Sequence, residues 1–276
     1  MLEQTEEIAV ALKRPPVSKR PQRAERPAAA DGSSRKILRA LLAFSIDKPK
    51  HSAESLSEAI GVPLSSTYRY IGILREAHLI EEESRGSFIL APRVIGLAQA
   101  ARAGTDLASI ARPFMKRIAH DVGETVILLR RSGDRAVCIE RVESSSRIRL
   151  TFEVGMALPL HRGAACKVLL ANLPPSESEA ILDDIAARDA AFGPQRRILM
   201  RELATIREQG WSESRGEITP HVYAVAVGVT DPSGIVAAIS FVAPAFRTPK
   251  AGQIRLREQI GRAAADISKA YSAVSF

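Results

Sequence analysis

Apolar positions begin to recur at helical spacing at Ser34, and this periodicity predicts the first folded element of the chain. Residues 34–44, SRKILRALLAF, place several large apolar side chains on one stripe, which is typical of an amphipathic helix packed on a core. The stripe comprises Ile37, Leu38, Leu41, Leu42 and Phe44. We therefore expect a first helix here, with this stripe facing inward.

A second helix is predicted in residues 52–62, SAESLSEAIGV, after the polar breaker DKPKH. Ser52 is a candidate N-cap, because a serine hydroxyl can accept a hydrogen bond from a free amide of the first turn. Leu56, Ala59 and Ile60 face inward at helical spacing, and Gly61 supplies the turn that ends the helix.

A third helix is predicted in residues 62–74, VPLSSTYRYIGIL, starting after Pro63. Its first turns are polar, whereas Ile71, Ile73 and Leu74 return at helical spacing to attach it to a core. A helix, a short glycine-containing turn and a second helix form a helix-turn-helix. In that motif the second helix lies in the major groove and meets base edges with its first turns.

A hairpin is predicted directly afterwards in residues 79–90, LIEEESRGSFIL. Leu79 and Ile80 form one short strand, residues 84–86 form the turn, and residues 87–90 form the return strand. We expect this wing to lie along the DNA backbone or minor groove. The acidic run 81–83 would repel phosphates, so it is expected to point away from them.

The polar start of the third helix and the wing supply the candidate DNA contacts. The competing interpretation is that the hydroxyls only cap the helix and that Arg69 is a solvated surface charge. Capping explains one hydroxyl, but not three consecutive ones, so DNA contact is favoured. The predicted DNA-binding residues are Ser52, Ser65, Ser66, Thr67, Tyr68, Arg69, Arg85 and Ser87.

The remainder of the chain mixes helical and strand patterns in an order typical of an α+β domain. A helix follows Pro92, and a second helix covers residues 107–123. Strands are then predicted in 124–133, 134–144, 146–154, 222–231 and 234–244, with helices in 163–173, 176–188, 198–210 and after Pro249. Because these elements do not alternate as βαβ units, the sheet is expected to be antiparallel.

Four segments are predicted from these patterns. Residues 1–33 form a disordered, basic and proline-rich arm, which either follows DNA phosphates or only aids solubility. Residues 34–92 form a winged helix-turn-helix, residues 93–104 a linker helix, and residues 105–276 an α+β domain.

The composition excludes several classes of protein but does not identify a function. The net charge of +8 is compatible with an anionic partner but is spread along the chain, so it supports nucleic-acid binding only weakly. The sequence contains no apolar run long enough for a membrane span, and its acidic start is unlike a signal peptide, so a cytoplasmic protein without a membrane partner is expected. Cys138 and Cys166 are too few for a disulfide scaffold, and we expect neither cofactor nor metal.

Three stretches together resemble the IclR-type bacterial transcriptional regulators. They are PLSSTYRYIGIL in 63–74, VGMALPLHRGAACKVLLA in 154–171 and YAVAVGVTDPSGIVAAISFVAP in 223–244. The resemblance implies a winged helix, a linker helix and, in residues 105–276, a GAF-like effector-binding domain. It implies a protein that acts on double-stranded operator DNA as a homodimer or a dimer of dimers. It implies a small-molecule effector that is a carboxylate or aromatic acid of a catabolic pathway, and no enzymatic activity.

The resemblance also places the effector pocket. The pocket residues that it implies are Leu150, Leu158, Ala164, Ala165, Ser214, Ala224 and Ser240. We add Gly163, which opens the helix, and Glu217, which is the nearest carboxylate. The chain departs from the family pattern by having Cys166 before Lys167, where a glycine is usual. Gly163 to Ala165 still open a helix with little bulk, so their amides either accept an anion or only permit close packing.

Two alternative functions remain open on the residues alone. His161 and Cys166 lie five positions apart, and a Cys–His pair can form a nucleophile or hold zinc. No third group that would orient them is identifiable, so catalysis and metal binding are disfavoured. The other alternative is a ligand-sensing module that acts through protein partners instead of DNA.

Overall fold

The computed structural model describes residues 32–103, 106–143, 152–189 and 192–274. The predicted arm therefore lies outside the described residues except at its last two positions. The N-terminal elements are helix α1 (Ser33–Leu42), strand β1 (Lys50–His51), helix α2 (Ala53–Ile60), helix α3 (Leu64–Glu76), strand β2 (Ile80–Ser84), strand β3 (Ser87–Leu90) and helix α4 (Arg93–Ala103).

Helix α2 begins and ends for the local reasons that the sequence predicts. The Ser52 hydroxyl accepts a hydrogen bond from the Ser55 amide at 3.2 Å, which satisfies one free donor of the first turn. Gly61 follows the helix with φ of 66°, a left-handed conformation in which glycine has no Cβ to clash. The chain therefore turns sharply between α2 and α3.

The wing has one strand more than predicted. Strands β2 and β3 form the hairpin, and the short strand β1 pairs with the other edge of β3, giving the order β1-β3-β2. Strand β2 runs to Ser84, so the predicted strand Leu79–Ile80 is too short and the acidic run lies within β2. The prediction missed β1 because two residues are too few to show an alternating pattern.

Part of the predicted stripe of α1 is not buried. Ala40 and Phe44 lie in the core formed with α2, α3 and the wing, and Ile37 and Leu41 pack against it. The predicted inward positions Leu38 and Leu42 are instead 58% and 79% exposed. These two residues lie four apart in sequence, so they share one face of the helix.

The C-terminal part contains one antiparallel sheet of six strands in the order β6-β5-β4-β9-β8-β7. The elements are α5 (Asp106–Val122), β4 (Thr125–Ser132), β5 (Arg135–Val142), β6 (Ala157–Pro159), α6 (Ala164–Ala171), α7 (Pro175–Arg188), α8 (Phe192–Gln209), β7 (Trp211–Arg215), β8 (Val222–Asp231), β9 (Gly234–Pro244), a short 3₁₀ helix (Ala245–Arg247) and α9 (Lys250–Ser272). The predicted antiparallel α+β architecture is confirmed. Strands β6 and β7 were not predicted, and most of the strand predicted in 146–154 lies outside the described residues.

The two faces of this sheet bury different sets of helices. Because side chains alternate along a strand, Val225 and Phe241 contribute to the core with α5 and α9. Ala226 and Val242, one position further along the same strands, contribute to the opposite core with α6 and α8. The face that carries α6 also contains a small cavity, described below.

Candidate functional site

The start of α3 presents a polar surface. Ser65, Tyr68 and Arg69 are exposed, and Ser66 is half-buried. The Arg69 guanidinium lies 5.4 Å from the centre of the Tyr70 ring, which is buried. The buried residues of the same helix hold the polar start to the core, so the exposed side chains project from a well-packed helix.

Thr67 is a correction to the predicted DNA contacts. Its side chain is completely buried, and its hydroxyl donates to the Pro63 carbonyl at 3.3 Å. It lies on the inner side of α3, because residues three apart on a helix share a face and Tyr70 and Leu74 are also buried. Thr67 therefore packs and bonds within the helix and does not present its hydroxyl to a partner.

The other predicted contacts lie around the wing and the start of α2. Arg85 is exposed at the turn between β2 and β3, beside Gly86, whose φ is 77°. Ser87, the first residue of β3, is half-buried. Ser52 is half-buried, and its hydroxyl is already used as the cap of α2.

The acidic run of β2 is partly neutralised by neighbouring basic side chains. Glu82 accepts from the Gly86 amide at 2.9 Å and lies 3.4 Å from Arg75 of α3. Glu83 lies 2.5 Å from Lys50 of β1. Such exposed pairs contribute little stability, so their main consequence is a lower local negative charge on the wing.

A small, partly open cavity of about 30 Å³ lies between the sheet and α6. Seven of the predicted pocket residues line it, namely Leu158, Gly163, Ala164, Ala165, Ser214, Glu217 and Ala224. The sequence reasoning missed further lining residues, which are Ile127, Leu129, Phe152, Cys166, Ile218, Thr219, Val222 and Val242. The alternating pattern of β4 offered a signal for Ile127 and Leu129, which lie two apart and so share a face of the sheet.

Two predicted pocket residues do not line the cavity among the described side chains. Ser240 is buried in β9, but its hydroxyl lies 3.1 Å from the Val225 carbonyl and 3.2 Å from the Phe241 carbonyl. The backbone of the sheet thus uses this hydroxyl, which corrects the prediction. Leu150 lies outside the described residues.

The N-terminal end of α6 is closed by distant parts of the chain. The Gly163 amide donates to Glu217 Oε2 at 2.8 Å, and the Ala164 amide donates to Ser214 Oγ at 3.2 Å. Gly163 has φ of 88°, and a Cβ at this position would lie 2.9 Å from Ile218 Cγ1. Both the conformation and the space therefore favour glycine here.

Lys167 is a buried charge beneath this helix end. Its side chain is 3% exposed, and its Nζ lies 2.7 Å from Glu217 Oε1 and 2.5 Å from Glu202 Oε1. A buried ammonium group is tolerated only when carboxylates or other acceptors replace the lost water. Glu217 thus joins the loop after β7 both to the amide of Gly163 and to the ammonium group of Lys167.

The Cys–His alternative finds no support in the geometry. Burial raises the pKa of the Cys166 thiol to about 12, so the nucleophilic thiolate is disfavoured. His161 stacks edge-on against Phe192 at 5.3 Å, and burial lowers its pKa. Within the described ranges, no group of three or more His, Cys, Asp and Glu side chains could hold a metal ion.

A winged helix-turn-helix with a polar recognition helix, followed by a sheet domain with an apolar-lined cavity, is the arrangement of a DNA-binding transcriptional regulator. The family model "Bacterial transcriptional regulator IclR C-terminal" matches residues 99–269. The chain belongs to the IclR family, and the predicted resemblance is confirmed. It is therefore a transcriptional regulator and not an enzyme.

Two curated relatives extend this similarity to both parts of the chain. The HTH-type transcriptional repressor AllR of Salmonella paratyphi A is 32% identical over 225 residues, covering 79% of this chain and 82% of AllR. AllR of Escherichia coli K12 is 30% identical over the same share of each chain.

Two solved structures share the fold. An IclR family regulator from Brucella abortus has a TM-score of 0.77 at 20% identity, covering 88% of this chain and 96% of that chain. An IclR homologue from Microbacterium hydrocarbonoxydans, solved with 4-hydroxybenzoate, has a TM-score of 0.69 at 22% identity, covering 88% and 100%. Across the part of the chain that the structure describes, no helix has both the length and the apolar character needed to cross a membrane.

Proposed function

We propose that this chain is a cytoplasmic transcriptional repressor that binds operator DNA and changes its affinity when a small organic acid of a catabolic pathway occupies the cavity beside α6. The observation that carries the proposal is the cavity beside α6, whose walls are mainly apolar and which has a few polar groups at one end. Ligand sites commonly combine such walls with a few polar groups that fix the orientation of the ligand.

The DNA-binding part of the proposal rests on the exposed start of α3. Ser65, Tyr68 and Arg69 project from the helix that enters the major groove in helix-turn-helix proteins. Arginine reads guanine edges with two hydrogen bonds, and hydroxyls bond to bases or phosphates. The exposed Arg85 at the wing turn supplies a further phosphate contact.

The effector part of the proposal is supported by the cavity and by one structural relative. The homologue solved with 4-hydroxybenzoate shows that this fold can be crystallised with an aromatic acid. The relatives named as repressors favour repression over activation for this chain.

The structure also favours assembly with a second copy of the chain. Leu38 and Leu42 on α1, and Ile95 and Leu97 on α4, are exposed apolar side chains. Apolar surface of this kind is typical of homodimer interfaces. We propose a homodimer or a dimer of dimers, which binds a pseudo-palindromic operator because the protein is two-fold symmetric. Light scattering of Leu42→Glu should show a shift towards monomer, whereas an unchanged mass would exclude this face of α1.

The proposal is tested by Ala164→Leu, which fills the cavity with a bulky side chain. The operator affinity of the wild type should change about 5- to 150-fold when effector is added, since coupling free energies are typically about 1–3 kcal/mol. The variant should bind operator normally in a mobility-shift assay and show no response to the effector, which a thermal-shift screen of organic acids identifies first.

Ala187→Leu provides the matched control, because Ala187 is exposed on α7 and absent from the cavity wall. This variant should keep the wild-type response. A folded Ala164→Leu protein with normal effector affinity would place the effector elsewhere. Failure of wild type to shift DNA from its own upstream region would favour the alternative of a sensor that acts through protein partners.

A further inference from the structure

Two carboxylates share one buried ammonium group at the N-terminal end of α6, although a helix N-terminus by itself attracts anions. Lys167 contributes one positive charge and contacts two carboxylates, those of Glu202 and Glu217. The negative charge of the two carboxylates therefore exceeds the positive charge of the single ammonium group by one unit. Of the two, only Glu217 lines the cavity.

The groups that would normally receive a ligand carboxylate here are already engaged. The Gly163 amide donates to Glu217, and the Ala164 amide donates to Ser214. Among the described residues that line the cavity there is no lysine or arginine. A carboxylate entering this end of the cavity would therefore meet another carboxylate, without a basic side chain of the wall to offset the repulsion.

Glu217 can still accept a hydrogen bond from a neutral donor. Its Oε2 accepts from the Gly163 amide and its Oε1 accepts from Lys167, yet each carboxylate oxygen has two lone pairs. Ser214, Thr219 and the Cys166 thiol are the other polar side chains of the wall, and each of these is uncharged. The α6 end of the cavity thus suits a hydroxyl or an amide.

We propose that Glu217 is a specificity-determining residue that rejects an anionic group at the α6 end of the cavity and accepts a neutral hydrogen-bond donor there. The inference rests on the proposed function, in which the cavity holds the effector. An effector that is an organic acid then lies with its carboxylate turned away from α6 and a neutral donor directed at Glu217.

A matched pair of probes separates charge from shape. Terephthalate and its monoamide have the same ring and one carboxylate in common, and they differ in whether the second end is an anion or a neutral amide. Calorimetry on wild type should show the monoamide binding about tenfold tighter, because like charges placed together in a binding site are strongly unfavourable. In Glu217→Gln, which removes the charge and keeps the shape, the two affinities should become nearly equal.

Two further variants control for folding and for total charge. Glu213→Gln makes the same change on an exposed position of β7 outside the cavity wall, and it should keep the wild-type preference. Glu217→Asp retains the negative charge, so it should also keep the preference if charge, and not the exact side chain, is responsible. Melting temperatures measured alongside establish that each variant is folded.

The outcomes distinguish this inference from the proposed function. Equal affinities for the two probes in wild type, or a preference for terephthalate, would overturn the role of Glu217. A preference for the monoamide that survives Glu217→Gln would also overturn this role. If Ala164→Leu still blocks binding in that case, the cavity remains the effector site. Absence of binding by both probes in every variant would remove the cavity as a site for such acids, and the inference with it.

Discussion

Helices α3 and α6 both begin with small or polar residues, but their surroundings give these residues opposite roles. Neither helix has a side-chain cap at its own N-cap residue, which is Pro63 for α3 and Gly163 for α6. The start of α3 is exposed, so its hydroxyls and Arg69 remain available to a partner. Every residue of α6 is buried, and its first amides are bonded to side chains that lie about fifty positions later in the chain.

This difference explains why similar sequence signals have different meanings in the two regions. At a surface, water satisfies the free amides of a helix start, so the exposed side chains are left for recognition. In the interior no water is available, so the fold itself must supply acceptors such as Glu217 and Ser214. The buried start is consequently part of the structural core and of the cavity at the same time.

The largest expected effect comes from removing the buried charge of α6. Lys167→Met leaves Glu202 and Glu217 without their shared cation and should lower the free energy of unfolding by about 3 kcal/mol, which is the lower end of values for broken buried pairs. The lower end is appropriate because both carboxylates are partly exposed. Urea unfolding measures the loss. Lys116→Met, on an exposed position of α5, should change it by less than about 0.5 kcal/mol.

A smaller effect, confined to DNA binding, is expected at the exposed helix start. Arg69→Ala should weaken operator binding by about 1–3 kcal/mol if Arg69 contacts a guanine edge. If it contacts only phosphate, affinity should fall uniformly across DNA sequences. Mobility shifts on operator and scrambled DNA separate the two cases, with Arg188→Ala on α7 as control. An unchanged operator affinity in the folded variant would remove Arg69 from the interface.

Within α3 itself, a buried hydroxyl should behave unlike the exposed ones. Thr67→Val keeps the shape of the buried side chain, and the Pro63 carbonyl still accepts from the amides of residues 66 and 67. The loss in stability should therefore be about 1 kcal/mol or less, and operator affinity should not change. A selective loss of DNA affinity in Thr67→Val would show that the hydroxyl reaches DNA after a rearrangement of α3.

The smallest expected effect is a dependence of stability on pH in the N-terminal domain. Burial lowers the pKa of His51 below 6.5, and its ring nitrogens lie 2.9 Å from Ser55 Oγ and 3.1 Å from the Ala43 carbonyl. The folded state therefore favours the neutral ring. Its contribution is complete above the unfolded pKa of about 6.5 and is lost as pH falls from there through the lower folded pKa.

Unfolding midpoints measured between about pH 7.5 and 5 test this sign. His161, whose pKa is also lowered, adds a dependence in the same direction in the C-terminal domain. His51→Gln should reduce the pH dependence of the unfolding midpoint in the N-terminal domain. His120→Gln, at an exposed position of α5, should leave it unchanged. An N-terminal domain that becomes more stable as pH falls through this range would contradict the assignment.

Periodicity and turn chemistry were sufficient for most elements of the fold. Helices α1, α2 and α3 and the long strands β8 and β9 were predicted because each has a sustained pattern bounded by Gly, Pro or a polar cap. The short strands β1, β6 and β7 were not predicted. Their pairing depends on neighbouring strands that are distant in sequence, and a few residues do not show an alternating pattern by themselves.

The candidate site residues also divide into those that the sequence could predict and those that only the structure could assign. Seven of the nine predicted pocket residues line the cavity. Five of them follow from matching the chain to a family pattern, whereas Gly163 follows from the small-residue helix start and Glu217 from being the nearest carboxylate. The assignments of Thr67 and Ser240 required knowledge of burial. A hydroxyl on the inner side of α3 or within the sheet has the same sequence signature as an exposed one, and only the packed neighbours show which atoms it bonds to.

The sequence by itself determined the two-part α+β organisation, the winged helix-turn-helix and the family, since these depend on local patterns and on motifs that are contiguous in the chain. Only the tertiary structure decided that Glu217 and Ser214 close the start of α6, and that Lys167 is held between Glu202 and Glu217. The physical reason is that buried amides and buried charges must find partners. Those partners are chosen by proximity in the folded chain, which local sequence patterns do not contain.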